Sequence, residues 1–281
     1  MRPRQWTKNL VVVAGLVFSG SFTQLHDVFL ATAAFAVFCA LSSAGYVIND
    51  ALDVESDRAH PIKRMRPIAA GRIRPRTATF VAVLLLAGGL LAAVVLDLRF
   101  AAAALGYALL SFTYSRWWKH LVILDLMVIA ALFVLRAAAG TIILRVTLSP
   151  WLFVCVSFLA LLLGFGKRRY EFNLLNGEHN HRPVLEHYSR DFIDHSITVV
   201  SSGAIMTYAV YAISSPTAAR HPWLVLTVPF VIYGVLRFLY LVFHRELGGQ
   251  PEELFLTDRP LLLSVVLWGM VAMGVFLVEG L

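Results

Sequence analysis

The stretch Val28-Phe-Leu-Ala-Thr-Ala-Ala-Phe-Ala-Val-Phe-Cys-Ala-Leu-Ser-Ser-Ala-Gly-Tyr-Val-Ile48 runs without a break into Asn49-Asp50-Ala51-Leu52-Asp53-Val54-Glu55-Ser56-Asp57. The first part is long enough for a helix across about 30 Å of hydrocarbon, which takes roughly 20 residues. The second part sets carboxylates at the mouth of that helix. Apolar length followed at once by clustered acid is the pattern of a bilayer span that ends at a polar site.

The rest of the chain agrees. Of 281 residues, 59% are apolar and 15% charged, with a mean hydropathy of +0.74; soluble domains are about half apolar and about a quarter charged. The net charge of +7 and pI near 9.7 do not point to nucleic acid, because no soluble domain gathers the bases into a patch. Cys39 and Cys155 lie far apart in apolar runs, which excludes a disulfide scaffold, a zinc finger and a redox pair. They read as small membrane hydrophobes.

Nine apolar stretches follow from hydropathy: Asn9 to Phe22, Val28 to Ile48, Thr77 to Leu96, Phe100 to Ser115, Leu121 to Leu144, Trp151 to Gly166, Phe192 to Ser214, Trp223 to Phe243 and Pro260 to Val278. The expected architecture is all-α, one integral-membrane domain over residues 1–281. Arg2, Arg4 and Lys8 before the first run imitate a signal peptide, but the cleavage site is poor and the run reads as a retained anchor. Trp6, Trp117, Trp118, Trp151 and Trp223 fall near span ends, as interfacial rings do.

Nearly all Lys and Arg outside the spans lie on the side of the N-terminus, while the other side holds Arg99, Arg145 and Arg220. By the positive-inside rule the N-terminus and long loops face the cytoplasm of a cytoplasmic membrane, and nine spans put the C-terminus outside. Only Asp27, Asp97 and Glu279 among the acids lie toward the outer side. Mixed charge on one face marks a site as well as a topology signal, in the two longest polar connections, Ala51 to Arg76 and Lys167 to Asp191.

In a continuous helix Asp50, Asp53 and Asp57 stand at about 0°, 300° and 340°, on one face with Asn49 beside them. Three like charges repel without a cation, and hard oxygen ligands suit Mg²⁺ held together with substrate phosphates. These four are the candidate catalytic cluster, with the three acids as metal ligands. The following Lys63, Arg64 and Arg66 suit substrate phosphates. A solvated helix terminus paired with nearby arginines is the plainer alternative.

The pattern Asn-Asp-x-x-Asp-x-x-x-Asp at the end of the second of nine helices, followed by Arg66-Pro67-Ile68-Ala69-Ala70-Gly71, resembles the UbiA superfamily of intramembrane prenyltransferases. The resemblance covers the chain and implies nine helices around a lipid-open cavity, with two Asp-rich motifs binding Mg²⁺ and a polyprenyl diphosphate. The second motif departs from that pattern: its position reads Gly166-Lys167-Arg168-Arg169-Tyr170-Glu171, followed by Asn176 and Glu178. This variant resembles the branch acting on decaprenyl phosphate, along with Arg2-Pro3-Arg4-Gln5-Trp6-Thr7-Lys8-Asn9, Tyr114-Ser115 with Lys119, Leu135-Arg136-Ala137-Ala138-Ala139-Gly140 and Thr257-Asp258-Arg259-Pro260. What that branch implies is transfer of 5-phosphoribose from phosphoribosyl diphosphate (PRPP) to a polyprenyl phosphate, toward the lipid-linked arabinose donor of cell-wall arabinan.

Further substrate-binding candidates are Lys8, Asn9, Tyr114, Lys119, Arg136, Lys167, Arg168, Arg169, Tyr170 and Arg237, with Glu171 placed to orient Lys167 or a ribose hydroxyl. Arg136 and Arg237 sit inside spans, where a guanidinium needs a cavity or a partner; Asp125 is placed to anchor Lys119 or to cap its own helix. His179, His181 and His187 lack metal-ligand spacing and read as a polar loop. Two rival functions stand beside this one: an ordinary UbiA prenyltransferase with an apolar acceptor, and a transporter for an anionic lipid. Gly88-Gly89 and the Ala-rich fourth span permit close helix approach, within one chain or between copies.

Overall fold

The computed structural model describes residues 3–18, 20–59, 63–147, 149–174, 183–249 and 251–279; expectations resting on Arg2, His60, Pro61, Ile62, Asn176, Glu178, His179, His181 and Arg182 lie outside them. For Lys63 only the backbone is described. Eight long helices carry the fold: α1 Leu25–Leu52, α2 Pro75–Leu96, α3 Leu98–Arg116, α4 Leu124–Ile143, α5 Pro150–Leu174, α6 Arg190–Ser214, α7 Val228–Phe243 and α8 Arg259–Glu279. Among the described residues seven helical stretches, all but α3, are long and apolar enough to cross a membrane by length and composition. Sequential neighbours pack antiparallel, α1 on α2, α3 on α4, α5 on α6 and α7 on α8, with α4 joining the first group to the second.

The first predicted span takes a different form. Pro3–Val13 is a 3-10 helix of 11 residues and Ala14–Phe18 an α-helical turn of 5. At roughly 2 Å of rise per 3-10 residue and 1.5 Å per α residue the segment reaches roughly 30 Å, the thickness of the hydrocarbon layer. Such a long 3-10 run needs outside support, and α4 gives it. Gly15 lies against the Gly140 backbone, and a Cβ on Gly140 would fall 1.9 Å from the Val12 carbonyl oxygen. No side chain fits there. Gly140→Ala is expected to lower stability by about 1–3 kcal/mol, as overpacking does, read as a lower melting temperature in detergent; an unchanged value would mean that the segment docks elsewhere.

The interior has two main apolar clusters. Val12, Phe38, Phe100, Tyr107 and Leu132 join the N-terminal segment to α1, α3 and α4; Leu126, Leu162, Ile193, Phe238 and Leu261 join α4 to α5–α8. Outside, Phe80, Leu84, Leu91 and Val95 of α2 are exposed, a face that water would penalise and lipid accepts. Gly89 packs on Leu41 of α1, whereas a Cβ on Gly88 would meet nothing. Close approach at Gly89 is therefore within the chain.

Candidate functional site

Helix α1 ends at Leu52, and a new short helix begins at Val54. Asp53 between them takes φ −93° and ψ 14°, and the three acids expected together pair with different cations. Lys119, from the turn after α3, places its Nζ 2.9 and 3.1 Å from the two Asp53 oxygens, and Asn49 Nδ2 donates to Asp53 Oδ2 at 3.0 Å. Asp50 and Asp57 turn the other way. Arg66 Nη1 donates to Asp50 Oδ1 at 3.1 Å and to Asp57 Oδ2 at 2.6 Å. Among the described residues no group of three or more His, Cys, Asp or Glu is drawn together tightly enough to hold a metal ion; the convergent unit is the pair Asp50 and Asp57.

Arg66 is held there by its own loop. Ala70 and Arg72 donate backbone N–H groups to the Arg66 and Pro67 carbonyls, Gly71 takes φ +74°, and Arg58 Nε bonds the Ala69 carbonyl. The turn buries Ile68 and Ala69 and leaves Arg64 exposed. A positive φ suits glycine, which lacks the Cβ that would clash.

The basic segment of α5 builds a second network. Arg168 is 1% exposed; its Nε and Nη2 bond Asp125 Oδ2 at 3.0 and 2.8 Å, and its Nη1 bonds Glu171 at 2.9 Å. Tyr188 completes the group: its hydroxyl donates to Asp125 Oδ1 at 3.0 Å and accepts from the Ile123 N–H at 2.7 Å. Burial pushes the Tyr188 phenol up to about 12, so it stays a donor at neutral pH. Arg169 is also buried, bonded to Asp194 of α6 and the Val242 carbonyl of α7 at 2.8 Å each. Lys167 and Tyr170 are half-buried on the same helix, with the Tyr170 ring closely packed on Gly249.

Residues 9–257 match the UbiA prenyltransferase family. The chain belongs to that family. It is similar to decaprenyl-phosphate phosphoribosyltransferase of Corynebacterium glutamicum, at 35% identity over 95% of this chain and 82% of that one. The enzyme of the same name from Mycolicibacterium smegmatis is 34% identical over 95% of this chain and 88% of that one. A solved UbiA homolog from Archaeoglobus fulgidus, bound to GPP and Mg²⁺, superposes with a TM-score of 0.74 at 20% identity, covering 98% of this chain and 97% of that chain. The fold is thus the UbiA fold, and the protein a multi-pass membrane protein.

Within this UbiA fold Arg136, Asn9 and Arg237 join internal networks. Arg136 is 5% exposed; it bonds Asn9 at 2.9 Å, the Leu132 carbonyl at 3.1 Å and the Tyr107 hydroxyl at 2.7 Å. Asn9, fully buried, in turn bonds Cys39 and Ser42 of α1. The pair thus pins the N-terminal segment to α1, α3 and α4. Arg237 grips Asp258 with two bonds of 3.1 and 2.8 Å, and Asp258 caps α8 through the Leu261 N–H. Tyr114 and Lys8 are half-buried. His187 is exposed on a short turn. Asp125 serves neither Lys119 nor a helix cap but Arg168. Trp6 donates to Ser43 of α1 at 3.1 Å, an interior contact where an interfacial ring was expected. Tyr107, Tyr188 and Asp194 were not anticipated; their partners lie on other helices, and no local spacing announces them.

Proposed function

We propose that this UbiA family member transfers 5-phosphoribose from PRPP to a polyprenyl phosphate, releasing diphosphate. The observation that carries this reading is similarity along 95% of the chain to enzymes whose names state a phosphoribosyl transfer to decaprenyl phosphate. The charge of the site supports it. One half offers carboxylates and the other offers Lys167 where an ordinary member of the family is expected to have a second acidic motif. The site faces the cytoplasm, where PRPP is available, and the product leads toward the lipid-linked arabinose donor of cell-wall arabinan.

Asp50 and Asp57 fit a divalent cation. Their hard oxygens already converge on one cationic nitrogen, and Mg²⁺ is commonly held by one or two carboxylates with substrate phosphates and waters. When bound, Mg²⁺ supplies a Lewis acid that stabilises the departing diphosphate. Arg66 and the exposed Arg64 offer guanidinia to diphosphate oxygens, with Lys63 from the same loop. Lys119 and Asn49 hold the Asp53 side chain oriented at the rim. Lys167, Tyr170, Tyr114 and Lys8 are assigned to the lipid phosphate. Arg168, Arg169, Glu171, Arg136, Asn9 and Arg237 act as positioning residues, through Asp125, Asp194, Tyr107 and Asp258.

The bond from ribose C1 to the diphosphate oxygen breaks while C1 bonds an oxygen of the lipid phosphate. With a second pKa near 6 that phosphate is largely dianionic at pH 7 and needs no general base. The charge that develops on the leaving diphosphate is what the site must stabilise. Purified protein in detergent is expected to release diphosphate only when Mg²⁺, PRPP and polyprenyl phosphate are all present, with a phosphoribosyl lipid seen by mass. Activity with polyprenyl diphosphate and an aromatic acceptor instead would make it an ordinary prenyltransferase, and movement of lipid without bond cleavage would make it a transporter.

A further inference from the structure

A cavity lies at the end of the bundle away from the acid pair. It has a volume of about 570 Å³, within the range of ligand sites, and Asp97, Arg99, Arg145 and Thr147 line it. An adjoining cavity of about 420 Å³ shares Asp97 and Arg145 and adds Asp27, with an apolar wall of Leu30, Leu96 and Leu144. Asp27 and Asp50 lie near opposite ends of α1, roughly 35 Å apart at 1.5 Å per residue. This second region is therefore separate from the proposed transfer site, at the level of the opposite headgroup layer.

Its charges are only partly engaged. Asp97 caps α3 with one oxygen only, Oδ1 accepting from the Arg99 and Phe100 N–H groups at 2.7 and 2.9 Å. Arg99 and Arg145 stand close enough to Asp97 for their charges to act on its carboxyl, and with Asp27 they line the two cavities. Arg145 is also strained. It follows the end of α4 with φ +54°, in a closure where the Val146 N–H reaches the Thr141 carbonyl and the Arg145 N–H reaches the Ile142 carbonyl. Glycine is the usual residue at that position. A non-glycine residue held in the left-handed region where it lines a cavity is the kind of outlier that ligand sites retain.

We propose that these adjoining cavities bind the headgroup of an aminophospholipid. Arg99 and Arg145 take the phosphate, the carboxylate oxygens of Asp97 and Asp27 take the ammonium, and Leu30, Leu96 and Leu144 receive the start of the acyl region. Paired charges of both signs fit a zwitterion better than a simple anion, which the two carboxylates repel. The apolar wall and the depth at the membrane boundary fit a lipid better than a free phosphate.

The test is native mass spectrometry and thermal melting of the full chain in detergent, titrated separately with short-chain phosphatidylethanolamine, phosphatidylglycerol and free phosphoethanolamine. Phosphatidylethanolamine is expected to stay bound and raise the melting temperature, with phosphatidylglycerol weaker. Arg145→Gly is expected to weaken retention of phosphatidylethanolamine about tenfold or more, the loss of one charge-assisted contact. The same variant, freed of strain, is expected to melt no lower than the parent without lipid, which separates lost binding from lost folding. Asp27→Asn is expected to remove the preference for the amine while leaving phosphate binding. Equal binding of the two lipids by the parent protein would overturn the proposal, as would undiminished retention by Arg145→Gly. Free phosphoethanolamine binding as tightly as the lipid would overturn the lipid as its source.

Discussion

Arg168→Met is expected to cost about 3–5 kcal/mol of stability, the range for removing one partner of a buried ion pair. Met matches much of the Arg volume, so packing is largely kept while the charge is lost. Asp125, 0% exposed, then keeps only the Tyr188 hydroxyl, and a buried carboxylate with one neutral donor is poorly compensated. Glu171 is less affected, because its side chain is 23% exposed and water takes the place of Arg168. The double variant Arg168→Met with Asp125→Leu is expected to recover much of the loss, since replacing both partners by apolar groups is often close to neutral. Melting temperatures of the two single variants and the double variant in one detergent give the coupling directly. A single variant that melts with the parent would show that Asp125 is satisfied without Arg168.

That network also shows how far a single sequence can be read. The membrane helices were legible because their signal is local: apolar runs of span length stand between polar loops, and α2, α4 and α6 lie where hydropathy puts them. The N-terminal segment was legible as an apolar helical run but not as a 3-10 helix, because its form depends on the bare backbone at Gly140, far along the chain. The gathering of acids at the end of α1 was legible. Its division was not, since nothing in Leu52-Asp53-Val54 breaks a helix and the cation that draws Asp53 aside, Lys119, is 66 residues away.

The same distance rule explains the arginines. Arg136 needed a partner by the cost of a membrane-buried charge, and it found Asn9, 127 residues earlier. Asp125 and Lys119 are close in sequence, yet each pairs with a residue from a different helix. Thr257-Asp258-Arg259-Pro260 was visible only as a segment that carries the family resemblance; that Asp258 caps α8 and grips Arg237 was not visible. Partners chosen by tertiary packing leave no periodic trace.

The acid pair gives the largest expected effect on turnover. Asp57→Asn is expected to lower turnover of PRPP and polyprenyl phosphate by about 10²-fold or more, the scale of losing one preorganised electrostatic contact to the leaving group. The reason is geometric: Asp57, with 4% side-chain exposure, and Asp50, with 13%, meet on one nitrogen of Arg66. The amide keeps the shape and the link to Arg66 but removes the charge a divalent cation needs. Asp50→Asn is expected to behave in the same way, and both variants should need more Mg²⁺ for half-maximal rate. Asp53→Asn is expected to lose less, because Lys119 and Asn49 already hold that carboxylate away from the pair. Initial rates across a Mg²⁺ titration, with melting temperatures alongside to exclude unfolding, separate the three. If Asp53→Asn alone shifted the Mg²⁺ requirement and Asp57→Asn left it unchanged, the cation would belong on the Lys119 side of the helix break.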